Sequence, residues 1–286
     1  MDNTVPSAEI SLNYNAAAGR LMPIEALNRR KKWMEDNNWN DITPGRELPS
    51  DIKYMVVDVE THDWRLNSGY KNGRIVEIAW MVFNHGMKCL ESKQYILKPH
   101  GYNKIAEKST EVHGITIDLA IEHGSDPNIV FKEFISIVGK IPRDGYIIAY
   151  NMIHDHQIFN ANLNKRQRAV WKNAPKCDVY DIQLWKYMPP EADPSYRTTS
   201  KWKTIGIKLV ELHQILCPGS TIEFVHTSIA DVRMTWDIFR YYLSHASREE
   251  LLWECKQPGL MFVPGAAISY ARKFLLKDEK ATSEGF

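Results

Sequence analysis

The chain has 286 residues, 44% of them hydrophobic and 25% charged. That length supports one sizeable core with extensions, and the composition is that of an ordinary globular protein. With 36 basic and 35 acidic residues the net charge is +1, which excludes a global bias toward polyanions or membranes, so any such site has to be a local patch.

Residues 1–50 read as an extension. The first two dozen are polar and Ala-rich, and residues 23–39 then take a helical pattern with Ile24, Leu27 and Met34 near one face. Arg29-Arg30-Lys31-Lys32 could be a nuclear address or a nucleic-acid contact, but a solvated helix face is the commoner meaning of such a run. Turn chemistry around Thr43-Pro44-Gly45 and Pro49-Ser50-Asp51 marks a boundary.

Residues 53–60 and 74–83 and a segment including 94–97 read as strands. Asn84-His85-Gly86 makes a hairpin turn between the second and third, and residues 101–124 read as irregular. A helix is expected over 126–139, a fourth strand over 145–150, a helix carrying Ile158, Phe159 and Leu163, and a short fifth strand over 176–180. Residues 189–200 read as a polar loop, and helices over 204–216 and 229–243 follow. Strands first, then alternation with helices, favours an α/β or α+β domain with a mixed sheet. Residues 51–244 would form this domain, and 245–286 a second extension. Cys89, Cys177, Cys217 and Cys255 form no Cys-x-x-Cys pair, as in a reduced intracellular protein. The start of the chain lacks an apolar signal core, and no apolar run is long enough to span a bilayer. A soluble cytoplasmic or nuclear protein with no membrane partner is expected.

The informative stretch is Tyr54-Met55-Val56-Val57-Asp58-Val59-Glu60-Thr61. Strand side chains alternate, so Asp58 and Glu60 share one face. Two such carboxylates repel and do not readily ionise together without a cation. An oxygen-only cluster suits Mg²⁺ or Mn²⁺. Alone, the pair would more often be a solvated strand end. Asp155 and Asp231 each stand at an expected helix start, five residues after His226 in the case of Asp231. If the fourth strand lies beside the first, all four acids can converge. Four convergent carboxylates with two cations suit phosphoryl transfer, with a nearby His as base.

With these residues in place, the sequence resembles the DnaQ-like (DEDD) 3′–5′ exonuclease superfamily in its DEDDh branch. The first family motif stands as Val57-Asp58-Val59-Glu60-Thr61, followed by Ile75-Val76-Glu77-Ile78-Ala79. His113-Gly114-Ile115 matches a middle segment, Ala149-Tyr150-Asn151-Met152-Ile153-His154-Asp155 the second motif, and Asp181-Ile182-Gln183-Leu184 an auxiliary Asp-Thr-Leu-like segment. His226-Thr227-Ser228-Ile229-Ala230-Asp231 keeps the His-x4-Asp spacing of the third. The resemblance spans residues 52–244. It departs at Tyr150, where the family has His, at His154, where it has Phe, and at His62-Asp63 after the first motif.

The resemblance implies an RNase H-like mixed sheet with helices on both faces. It implies a two-metal enzyme using Mg²⁺ or Mn²⁺ to remove 5′-mononucleotides from the 3′ end of single-stranded DNA or RNA. Asp58 would bridge both cations, Glu60 and Asp231 would ligate the one that activates water, Asp155 would hold the second, and His226 would be the base. Thr61, His62, Trp64, His113 and Asn151 would line the terminal nucleotide, with Trp64 or His62 stacking on a base. Arg197, Lys201 and Lys203 could hold phosphates from the polar loop. Many members of this branch are dimers, so a homodimer is open. A different class of reading is a non-catalytic nucleic-acid-binding module that kept the fold, motivated by Tyr150 and His154. His154-Asp155-His156 as a transition-metal site is a minor alternative, and Trp80 and Trp236 are expected in the core.

Overall fold

A computed structural model describes residues 49–63, 72–180, 188–192, 207–220 and 227–245, together with Asn28 and Lys32. The expected N-terminal helix over 23–39, Trp64, Asp181, Arg197, Lys201, Lys203, His226 and the second extension therefore lie outside the described residues, apart from Asn28 and Lys32.

Among the described residues, five strands build the sheet. They are β1 (Tyr54–Thr61), β2 (Ile75–Phe83), β3 (Cys89–Ile96), β4 (Tyr146–Ala149) and β5 (Lys176–Asp178). Their order is β3-β2-β1-β4-β5. β1 pairs antiparallel with β2 and parallel with β4, and β4 pairs parallel with β5. β1 is thus the centre of a mixed sheet, buried from both sides. The β2–β3 turn uses Met87 at φ 62.

The helices packed around it among the described residues are α1 (Glu107–His113), α2 (Ile117–His123), α3 (Pro127–Val138), α4 (Met152–Asn162), α5 (Lys165–Asn173), α6 (Leu209–Leu216) and α7 (Ser228–His245). Alternation on the strands divides the core in two. Val57, Val59, Ile78 and Trp80 face a cluster with Phe134 of α3, Ile158 and Phe159 of α4, and Trp171 of α5. Val56, Ala79 and Phe83 face Leu212 of α6 and Val232, Trp236 and Phe239 of α7. The result is a sheet flanked by helices on both faces, with Trp80 and Trp236 buried as expected.

Residues 101–124 depart from the expectation of irregular chain, because α1 and α2 occupy them. The residues that α1 buries are Ser109 and His113, so it carries no apolar stripe. α2 is seven residues long and starts on Thr116, whose hydroxyl accepts the Leu119 N–H. α5 is also unforeseen in the sequence. Trp171 is the one residue it buries, which leaves no periodicity to read. It starts on a capping box made by Asn164 and Gln167.

The far end of α4 is tied to the sheet by Asn162. Its amide donates to Gly73 O at 2.9 Å and its Oδ1 accepts from Ile75 N at 3.3 Å. Gly145, at the entry to β4, lies so close to Lys53 O that a Cβ would collide with it, which lets β4 seat against β1.

Phe134 is fully buried, stacks on Phe159 at 4.6 Å and lies 5.7 Å from Trp80 and 5.8 Å from Trp171. Phe134→Ala should therefore cost about 3–5 kcal/mol. Urea unfolding checks this, and a loss below about 1 kcal/mol would show that this cluster does not carry the core.

Candidate active site

β1 ends in Asp58 and Glu60, both half-buried and both on the face covered by α7. α7 brings Asp231 in its first turn. Ligand atoms of Asp58, Glu60 and Asp231 all lie within 4.8 Å of one another, the one such group of His, Cys, Asp and Glu among the described residues. Asp155, in the first turn of α4, reaches the same strand from the other helix layer. It is 2% exposed. Its carboxylate accepts the Val59 N–H and its own N–H, while Oδ1 has no hydrogen-bond partner.

The electrostatics follow from this crowding. Burial first, then the charges of Asp231, Asp155, Glu60 and Glu77, push Asp58 well above the ordinary carboxylate range. Burial first, then Asp178, pushes Asp155 up, partly offset by its backbone hydrogen bonds. A buried oxygen with no donor and three clustered carboxylates form an oxygen-only set, which fits hard divalent cations.

The other expected site residues are placed variously. Thr61 is buried at the end of β1, with its hydroxyl 3.4 Å from Asp63 O. His62 is half-buried. Its Nδ1 accepts from Arg74 N at 3.2 Å, its ring packs 5.1 Å from Tyr102, and burial lowers its pKa. His113 is 4% exposed. Its Nδ1 accepts the Ile115 N–H at 3.1 Å, so Nε2 carries the proton and donates to Thr61 O at 3.3 Å. Its ring braces the end of β1 from within. Asn151 is exposed and takes the left-handed conformation, φ 63 and ψ 51, which turns the chain sharply from β4 into α4.

The departures at the second motif have local partners. The Tyr150 hydroxyl donates to Ile207 O, and burial raises its pKa well above the usual phenol value. Burial lowers the pKa of His154. His156 packs on Trp171 at 5.9 Å in the opposite core and is depressed to about 4 by burial. The two rings flanking Asp155 are two positions apart on a helix and do not face one another.

Sequence reasoning missed Asp178. It ends β5 and is 5% exposed. Its Oδ1 accepts from Asn151 N at 2.8 Å and Tyr180 N at 3.0 Å, and the Met152 N–H also donates to the carboxylate. Burial raises it to about 7. Its signal was an acid within the expected fifth strand over 176–180, shortly after the second motif. Glu77 lies opposite Glu60 on β2 and is fully buried.

Solved structures share this architecture. Exonuclease I of E. coli in complex with a 5cy-dT13 oligonucleotide matches with a TM-score of 0.53 and 16% identity, over 70% of this chain and 42% of that one. The fold is RNase H-like, a mixed sheet flanked by helices, as in that structure. A product-bound exonuclease I gives 0.52 at 16% identity, over 70% of this chain and 45% of that one. The exonuclease I of Methylocaldum szegediense gives 0.51 at 18%, over 70% and 41%. At these identities the likeness is one of fold, and this chain spans less than half of each of these three exonucleases. No protein-family model matches the sequence, and no curated protein does. No helix among the described residues is long and apolar enough to cross a membrane.

The raised pKa values of Asp58 and Asp155 mean that the folded protein binds these protons more tightly than the unfolded chain. Their contribution to stability is present at low pH and lost as pH rises through the raised values. A divalent cation competes with those protons and favours the ionised acids. The gap in melting temperature with and without Mg²⁺ should widen between pH 5.5 and 8. A gap independent of pH, measured by differential scanning fluorimetry, would count against cation binding at these carboxylates.

Proposed function

We propose that the protein is a divalent-metal-dependent 3′–5′ exonuclease acting on single-stranded nucleic acid and releasing 5′-mononucleotides. The observation that carries this reading is the convergence of Asp58, Glu60 and Asp231, with Asp155 beside them, on a fold shared with exonucleases. That one of those was solved with a dT13 oligonucleotide bound favours a DNA or RNA strand without secondary structure as the substrate.

Asp58, Glu60, Asp155 and Asp231 are the residues assigned to hold two cations, Mg²⁺ or Mn²⁺. Held there, such ions would supply Lewis-acid polarisation of the phosphodiester and a more acidic water. The chain's own residues do the rest. His226, immediately ahead of Thr227, is assigned as the base that takes the proton of the attacking water, a role that needs neutral imidazole. The end of β1 is braced by His113, whose Nε2 donates to Thr61 O. His62, Asn151 and Trp64 are assigned to the terminal nucleotide, with stacking of a base on an aromatic ring worth about 1–3 kcal/mol.

The test is a time course on 5′-end-labelled single-stranded DNA and RNA of one sequence, with Mg²⁺, Mn²⁺ or EDTA. A ladder shortening from the 3′ end, dependent on metal and lost in Asp58→Ala, is the expected outcome. His226→Ala should slow it by about 10²–10⁴-fold. The wild-type rate should fall as pH drops below about 6.5, where imidazole takes up its proton. Strand binding without cleavage under every condition would overturn the exonuclease reading in favour of a binding module.

A further inference from the structure

Two buried carboxylates outside the cluster share one arrangement. Glu77, 0% exposed, accepts the Ser228 N–H on Oε2 at 3.0 Å and the Gln94 amide on Oε1 at 2.6 Å. Asp178 accepts the Asn151 and Met152 N–H groups. Ser228 is the first residue of α7 and Met152 the first of α4. Asp231 and Asp155 follow three residues later in each case. We propose that Glu77 and Asp178 are positioning residues, each seating the start of one helix so that its first-turn acid meets the carboxylates at the end of β1. The inference rests on the metal-site reading above.

A role in folding alone does not account for them. Burying a carboxylate is costly even when it is hydrogen-bonded. Both stand where negative charge is already crowded, Glu77 adding to the upward pressure on Asp58 and Asp178 to that on Asp155. Ala79, the next residue on Glu77's face of β2, packs against the same helix layer with an apolar side chain. A carboxylate provides something else there, a fixed acceptor for N–H groups at a helix start, which have no partner within the helix and lie at its positive end. Three residues is less than one helical turn, so a displacement at Ser228 or Met152 passes almost rigidly to the ligand. Outer hydrogen bonds of this kind typically govern metal affinity by about 10–100-fold.

Direct Mn²⁺ titration, reading free Mn²⁺ by electron paramagnetic resonance, tests this without any cleavage assay. Glu77→Ala and Asp178→Ala should each weaken Mn²⁺ binding about tenfold or more. Glu77→Gln and Asp178→Asn keep an oxygen aimed at the same N–H and should recover most of that affinity. For Glu77→Gln, the Gln94 amide can turn to accept, since its Oε1 has no hydrogen-bond partner. Alanine variants that bind Mn²⁺ like the wild type overturn the proposal, as do amide variants as weak as the alanines, which would mean charge and not grip. Should an alanine variant fail to fold, Ser228→Pro decides. It removes the donor that Glu77 grips, at a first helical position where proline is tolerated. Weakened Mn²⁺ binding there supports the proposal, and unchanged binding overturns it. A wild-type protein that takes up no Mn²⁺ overturns the metal-site reading itself.

Discussion

Mutual repulsion of carboxylates at the end of β1 is the constraint on which this structure turns. Asp58 and Glu60 are forced to one face by strand geometry, and α7 adds Asp231 within 4.8 Å. Burial removes much of the water that would screen them, so protons are held tightly, as the raised pKa of Asp58 records. An oxygen-only cluster of this kind suits hard cations. The fold tolerates it because the surrounding core is large and the strand is central.

The scaffold places those charges by two independent routes. β1 lies between an antiparallel and a parallel neighbour, which fixes its register from both edges. α7 covers one face through Trp236, stacked on Phe83 at 3.7 Å, and α4 covers the other through Phe159, stacked on Phe134. Each helix begins at the same end of the sheet, so each brings its first-turn acid there. Acids in a first turn are favoured by the helix dipole, which offsets part of the repulsion. The two residues that replace the resembled family's pattern in the second motif are absorbed without losing an acid. Tyr150 ties the end of β4 to Ile207, and His154 is held toward its neutral form by burial.

Much of this was legible in the chain because it is local. Strand alternation placed Asp58 and Glu60 together. The pattern of Val232, Trp236 and Phe239 announced α7, and that of Phe131, Phe134 and Val138 announced α3. The helices that went unseen, α1, α2 and α5, are short or bury few apolar side chains, so no period marks them. Asp178 went unremarked for a related reason: only the packing of β5 beside β4 shows that it meets the start of α4.

The sequence by itself determined the local periods, and hence the strands, the stronger helices and the pairing of Asp58 with Glu60 on one face. Tertiary structure alone decided which distant acids join them. Asp231 completes a cluster with the β1 pair, Asp155 arrives from the opposite layer, and Glu77 meets an N–H 151 residues away. Those meetings depend on how helices pack across the sheet, and packing between segments so far apart leaves no period in the chain to read.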